Sequence, residues 1–205
     1  MSVHPKKEKR HDADFYATQP ALVVAMMIWA LRLGYNGKPE SVLEPGCSGE
    51  APFLWAAHRR LPEARLVGVE QADRPEEPNP PHLPPGAEVE FDTDFLWWAG
   101  LSRSKFDLII TNPPFSLAEV FVKAAIPLLT DTGWLVNLMR LDWLGTQKRF
   151  ERLHKDNPPK RVALLVQRPS FTGGSTDSSE YAIGAWQKRD PAFIPQTRLE
   201  WLSWR

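Results

Sequence analysis

The run Phe106-Asp107-Leu108-Ile109-Ile110-Thr111-Asn112-Pro113-Pro114-Phe115 ends an apolar stretch in a side-chain amide, two prolines and an aromatic ring. The prolines remove two backbone donors and stiffen the chain, so carbonyl oxygens stand as acceptors beside Asn112 Oδ1. Two acceptors converging on one small volume suit an amino group with two N–H bonds, above all an aromatic amine whose lone pair is delocalised into its ring. With one hydrogen on Asn112 Oδ1 and the other on the Pro113 carbonyl, such a nitrogen is held nearer tetrahedral and its lone pair is aimed at an electrophile. Phe115 is expected to stack on a planar substrate. A rigid turn closing a strand is the plain alternative for an isolated Asn-Pro-Pro.

Three further strand ends carry suitable groups in order. The segment Val42-Leu43-Glu44-Pro45-Gly46-Cys47-Ser48-Gly49-Glu50 passes from strand to helix through two glycines that permit close approach of backbone to a ligand. Val67-Gly68-Val69-Glu70 places an acid 26 residues after Glu44, where the hydroxyls of a nucleoside ribose are gripped in open α/β sheets. Asp94-Phe95 offers an acceptor for an adenine amino group beside a ring that can stack on it. Taken singly, Glu70 and Asp94 are as readily surface carboxylates.

Together these residues resemble the amino-methyltransferases of the Rossmann-like S-adenosylmethionine superfamily, the group that includes the N6-adenine DNA methyltransferases. The resemblance covers about residues 14–186, and its most specific element is Asn112-Pro113-Pro114-Phe115. Asp14-Phe15-Tyr16-Ala17-Thr18-Gln19-Pro20 is similar to the aromatic, Thr, Pro motif that precedes the glycine turn in one subgroup, although Gln19 interrupts the Thr-Pro pair. The resemblance implies S-adenosyl-L-methionine as cofactor. It implies cofactor contacts from Phe15, Tyr16 and Thr18, from Glu44, Pro45, Gly46, Cys47 and Gly49, from Glu70, from Asp94 with Phe95, and from Asn112. Catalysis falls to Asn112, Pro113, Pro114 and Phe115, and the substrate base to Phe115 and Phe171. Ser48 and Glu50 stand where the usual turn has glycine, unless the register slides by one to use Gly49.

The implied reaction is direct transfer of a methyl group to an exocyclic amino nitrogen, most simply N6 of adenine in DNA, with the base extruded from a duplex into a pocket. Guanine N2 or adenine N6 in RNA, a protein glutamine, and a non-catalytic S-adenosylmethionine-binding subunit remain open. A nicotinamide oxidoreductase is disfavoured because the turn lacks the GxGxxG pattern. No metal is expected: the five histidines are scattered, and Cys47 has no sulfur partner.

The elements that must position these groups follow from periodicity. From residue 41 short apolar runs alternate with helical stretches, the pattern of an α/β fold with a mostly parallel sheet covered on both faces. Seven strands are expected at 41–43, 65–69, 88–91, 106–111, 134–139, 162–167 and 181–186. Helices are expected at 21–33 with Thr18 as N-cap, at 52–61, and at 116–129 opened by Ser116 and Glu119 at capping-box spacing. Residues 71–87 hold six prolines and read as a long loop, and 172–179 as a flexible polar loop. Trp201 and Trp204 are expected to pack against the body.

Residues 1–13 read as a flexible arm, and 14–205 as one methyltransferase domain without a separate target-recognition domain, so that specificity is low or comes from a partner. Lys plus Arg and Asp plus Glu stand at 25 each, which gives no global signal for nucleic acid. Locally, residues 140–168 hold eight Lys/Arg against three acids, a stretch expected to meet phosphates. A single cysteine and the absence of a long apolar run point to a cytoplasmic protein without membrane attachment.

Overall fold

The computed structural model describes residues 17–35, 37–72, 82–170, 178–188 and 196–205. The expected arm 1–13, together with Phe15, Tyr16 and Phe171, lies outside the described residues. A single sheet organises the chain. Its strands are β1 (Ser41–Pro45), β2 (Arg65–Val69), β3 (Glu88–Glu90), β4 (Phe106–Thr111), β5 (Leu129–Arg140), β6 (Arg161–Leu165), β7 (Tyr181–Trp186) and β8 (Arg198–Leu202). They lie in the order β3-β2-β1-β4-β5-β7-β6-β8. Among them β7 runs antiparallel to both neighbours, and the other pairings are parallel.

The central strands are covered on both faces, so they read as unbroken apolar runs rather than alternating ones. One face packs under α1 (Pro20–Ala30) and α2 (Pro52–His58), with Leu22, Met26, Phe53 and Leu54 meeting Val42, Leu108 and Val136. The other packs under α3 (Phe95–Leu101) and α4 (Ala118–Ala125), with Phe95, Phe121 and Val122 meeting Leu43, Ile109 and Leu135. β1 and β4 are neighbours whose onward connections lead away from each other, which opens a crevice beyond their carboxyl ends.

Several boundaries differ from the expectations. The sheet has eight strands rather than seven. The extra one is short and half-exposed, so its alternating Arg198-Leu199-Glu200-Trp201-Leu202 lacks the apolar run that marks the interior strands. β5 begins at Leu129, five residues early, because Leu129 pairs with Phe106 before the register shifts to Leu108 opposite Trp134. Thr18 is not an N-cap: Gln19 holds that position with no side-chain cap bond, and Pro20 supplies the stiff first turn. Helix α2 stops at His58. The capping box of Ser116 and Glu119 does not form, because the chain leaves the prolines through a 3-10 turn, Phe115–Leu117, and α4 starts only at Ala118. Glu119 pairs instead with Lys123 Nζ at 2.8 Å, and Pro127 ends the helix in a second 3-10 turn. Trp204 packs as expected, whereas Trp201 is 69% exposed. Among the described residues no helix is long and apolar enough to cross a membrane.

Close approach of α2 and β3 to β2 depends on Gly68. A Cβ there lies 2.8 Å from Cys47 Sγ, 3.1 Å from Val89 Cγ2 and 3.3 Å from Leu54 Cδ1. Gly68→Ala is therefore expected to lower the unfolding free energy in urea by about 1–3 kcal/mol, and adding Cys47→Ala should recover part of that loss. An unchanged midpoint in the single variant contradicts this account of the packing.

Candidate active site

The loop leaving β1 is shaped by left-handed residues. Gly46 has φ +65°, and Ser48, standing where a glycine is usual, has φ +57°. A left-handed non-glycine residue costs roughly 1–2 kcal/mol, and two contacts hold it there. Ser48 N–H donates to Glu70 Oε2 at 2.7 Å, and Ser48 Oγ accepts from Glu50 N–H at 3.3 Å. The turn thus keeps its shape with Ser48 in place, and Gly49 is not among the residues with positive φ.

Two nearly inaccessible carboxylates flank this turn. Glu44, 2% exposed, accepts from Leu54 N–H at 2.8 Å and so holds the start of α2 to the end of β1. Glu70, 1% exposed at the end of β2, accepts from Ser48 N–H and, at 2.9 Å, from Ala72 N–H. Burial pushes the Glu44 carboxyl well above the usual carboxylate range, against the backbone N–H groups of Leu54 and Phe53, and the nearby charge of Glu70 adds to the rise. Burial likewise pushes the Cys47 thiol up, which leaves it a packing group rather than a nucleophile.

At the end of β4, Thr111 Oγ1 donates to the Pro45 carbonyl at 2.7 Å, tying the strand that carries Asn112 to the strand that opens the glycine turn. Asn112 Nδ2 donates to Thr18 Oγ1 at 3.0 Å. That bond fixes the orientation of the amide, and its acceptor Oδ1 is buried. The Pro114 carbonyl accepts from Leu117 N–H at 2.8 Å. Of the two proline carbonyls, Pro113's is therefore the one suited to act with Oδ1. Phe115 is partly buried, and its ring packs against Tyr181 at 5.5 Å between centroids.

The third strand end is arranged differently. Asp94 is exposed and caps α3, its Oδ1 accepting from Trp97 N–H at 2.8 Å. Phe95 is 4% exposed, with its ring 4.9 Å from that of Phe121. The structure therefore brings together Thr18, the turn from Glu44 to Gly49, Glu70 and Asn112 to Phe115 at the carboxyl ends of β1, β2 and β4, and turns the Phe95 ring into the core.

Three groups here escape the sequence patterns. Thr111 is one, legible only as a polar residue ending an apolar strand. Gln19 is another: its Oε1 accepts from Ser170 N–H at 3.3 Å, joining the segment after β6 to the residue beside Thr18. Tyr181, opposite Phe115, is the third. In the basic stretch, Arg149 and Arg161 serve internal contacts, the first 4.6 Å over the Trp143 ring and the second paired with Glu200 at 2.6 Å. Among the described residues no cluster of His, Cys, Asp or Glu is arranged to hold a metal ion.

The raised Glu44 pKa has a signed consequence. Folding favours the protonated form, so this group's contribution to stability is full below the ordinary value of 4.5 and is lost as the pH climbs through the folded value. Glu44→Gln keeps an acceptor for Leu54 N–H. The stability of Glu44→Gln minus that of the parent, from urea titrations across pH, should therefore grow as the pH rises above 4.5. A flat difference contradicts the assignment.

No protein-family model matches the chain. It is 33% identical over 129 residues to the type II methyltransferase M.TthHB8I of Thermus thermophilus, a match taking in 62% of this chain and 27% of that protein. The chain thus spans about a quarter of the length of this curated relative. Among solved structures, a methyltransferase subunit of a type I restriction-modification system from Streptococcus thermophilus superposes with a TM-score of 0.64 at 15% identity, covering 87% of this chain and 46% of that one. A Listeria monocytogenes protein assigned to the class I S-adenosylmethionine-dependent methyltransferases gives 0.61 at 16% identity, covering 89% and 64%. The chain has the class I S-adenosylmethionine-dependent methyltransferase fold, and its sequence resembles a type II methyltransferase.

Proposed function

We propose that the chain is an S-adenosylmethionine-dependent N-methyltransferase that acts on the exocyclic N6 of adenine in DNA. The observation that carries this reading is the amide of Asn112 at the end of β4, directly before Pro113 in the chain and fixed through its Nδ2 by Thr18.

The residues around the turn fit the cofactor. Glu70 stands at the end of β2, where an open α/β sheet grips the hydroxyls of a nucleoside ribose, and its bonds to Ser48 and Ala72 hold the carboxylate in place there. The left-handed turn at Gly46 and Ser48 brings backbone close to whatever lies over the carboxyl end of β1. Phe15, Tyr16 and Thr18, the turn residues Glu44, Pro45, Gly46, Cys47 and Gly49, Asp94 and Asn112 complete the proposed cofactor set, from which the Phe95 ring, packed on Phe121 in the core, drops out. Bound there, S-adenosylmethionine supplies an electrophilic methyl group on a cationic sulfur.

Asn112 Oδ1 and the Pro113 carbonyl accept the two amino hydrogens of the substrate and turn the nitrogen lone pair toward that methyl group. Pro114 stiffens the loop, and its carbonyl, bonded to Leu117, fixes the start of the 3-10 turn that carries Phe115. Phe115 and Phe171 hold the extruded base between them. Neither side chain needs to ionise, so the acceptors work at any pH at which the amine is neutral. The type II methyltransferase relative and the restriction-modification neighbour support DNA as the substrate. A partner that supplies sequence specificity and a cytoplasmic location belong to the same reading.

The test is transfer of radiolabelled methyl from S-adenosylmethionine to unmethylated DNA, followed by nucleoside analysis. Asn112→Ala should lower turnover by about 100-fold or more while weakening cofactor binding far less, because it removes an interaction needed at the reacting nitrogen. Label recovered in RNA or protein instead of DNA replaces the substrate named here. Cofactor binding without transfer to any of the three leaves a non-catalytic subunit.

A further inference from the structure

The eight Lys and Arg between residues 140 and 168 do not share one surface. Trp143 and Leu153 pack with Leu135 and Met139, so the stretch 147–155, which carries Lys148, Arg149, Arg152 and Lys155, lies over the same face of the sheet as α3 and α4. Lys160 and Arg161 stand at the amino end of β6. Arg168 is paired with Glu180 at 2.5 Å. Arg140, at the carboxyl end of β5, is placed differently from all of these.

Directly opposite residues of an antiparallel pair project from the same face, and Arg140, the last residue of β5, lies opposite Tyr181, the first of β7. The Tyr181 ring belongs to the face under α1 and α2 and packs against Phe115. Asn112 turns to that face too, with its Nδ2 on Thr18 just before α1. Arg140 therefore shares both the face and the end of the sheet with the amide assigned to catalysis. Strand order adds a direction: the glycine turn leaves β1, Asn112 leaves β4 and Arg140 leaves β5, so Arg140 stands on the side of Asn112 away from the glycine turn. A substrate that meets Asn112 opposite the methyl donor comes in on that side.

Arg140 is exposed, and its guanidinium is tethered to a hydroxyl: Nε donates to Ser179 Oγ at 3.1 Å, and Nη2 donates to the same oxygen. The N–H of Leu141, next in the chain, donates to the Glu180 carbonyl at 2.8 Å and fastens the strand end to the same segment. Among the described residues no carboxylate pairs with Arg140. A guanidinium held in place without a counter-charge suits a phosphate, whose oxygens match its planar fork. We propose that Arg140 grips the backbone phosphate beside the extruded nucleotide, with Ser179 presenting the guanidinium. This rests on the DNA reading above and adds a substrate-binding residue on the flank of the site that faces away from the cofactor.

The experiment follows anisotropy of a fluorescein-labelled unmethylated DNA duplex with the full chain across a salt series, alongside the kinetics of methyl transfer to the same duplex. Each phosphate neutralised on a duplex adds about 0.9 to the slope of log affinity against log salt. Arg140→Ala should flatten that slope by about 0.9 and raise KM for DNA about tenfold, with kcat falling far less. Arg140→Lys keeps the charge and should retain the slope, and Arg198→Ala, an exposed cation at the amino end of β8, should change neither slope nor KM. A parent that methylates DNA, with a slope that Arg140→Ala leaves unchanged, overturns the contact while the methyltransferase reading stands. So does an equal flattening in Arg140→Lys, which marks lost shape, or in Arg198→Ala, which marks lost net charge. Weakened cofactor binding with DNA binding intact gives the guanidinium to the cofactor's carboxylate and also overturns it. A parent that neither binds nor methylates DNA overturns both readings.

Discussion

The backbone at the carboxyl end of β1 must turn sharply and still have its N–H groups satisfied away from water, and two buried carboxylates meet that demand. Glu70 holds the turn through Ser48, and Glu44 holds the start of α2 through Leu54. Without them Ser48 loses the bond that keeps it left-handed, α2 loses its tie to β1, and the crevice loses its floor. Both acids are buried, and the charge of Glu70 adds to the burial that raises the proton affinity of Glu44, a destabilising arrangement in isolation. It is tolerable because each oxygen that faces the backbone has a donor. A cationic ligand in the crevice would relieve what remains.

The catalytic loop depends on this frame through one hydroxyl. Thr111 links the end of β4 to the end of β1, so the amide of Asn112 and the glycine turn move as one piece. Thr18 and Gln19 extend the same piece to α1 and to the segment after β6. The acceptors are positioned by bonds between elements distant in sequence, and the prolines then remove the remaining slack.

Much of the fold was legible because the interior strands are apolar throughout, and a run such as Leu108-Ile109-Ile110 has no other use than a sheet covered on both faces. Residue types at the strand ends likewise revealed the site, since an amide with two prolines and an acid after Val69 are not packing choices. What stayed hidden depends on register. Thr111 meets Pro45 across 66 residues and Gln19 meets Ser170 across 151, and no local pattern encodes such a meeting. β8 was missed because an edge strand needs only one apolar face, and its two leucines and one tryptophan fall short of a run. The Phe95 ring was expected to stack on a ligand because aromatic type alone does not tell core from crevice, and here Phe121 fills the space in front of it.

The insertion of β7 between β5 and β6 also fixes an order of assembly during synthesis. When β6 emerges it has no neighbour in place, because both strands that flank it, β7 and β8, lie later in the chain. β5 waits as well, with its outer edge open until Tyr181–Trp186 arrives. A nascent chain halted between residues 165 and 181 therefore exposes two apolar strand edges at once, β5 and β6. This is the interval in which it is most prone to pair with another chain and most in need of a chaperone.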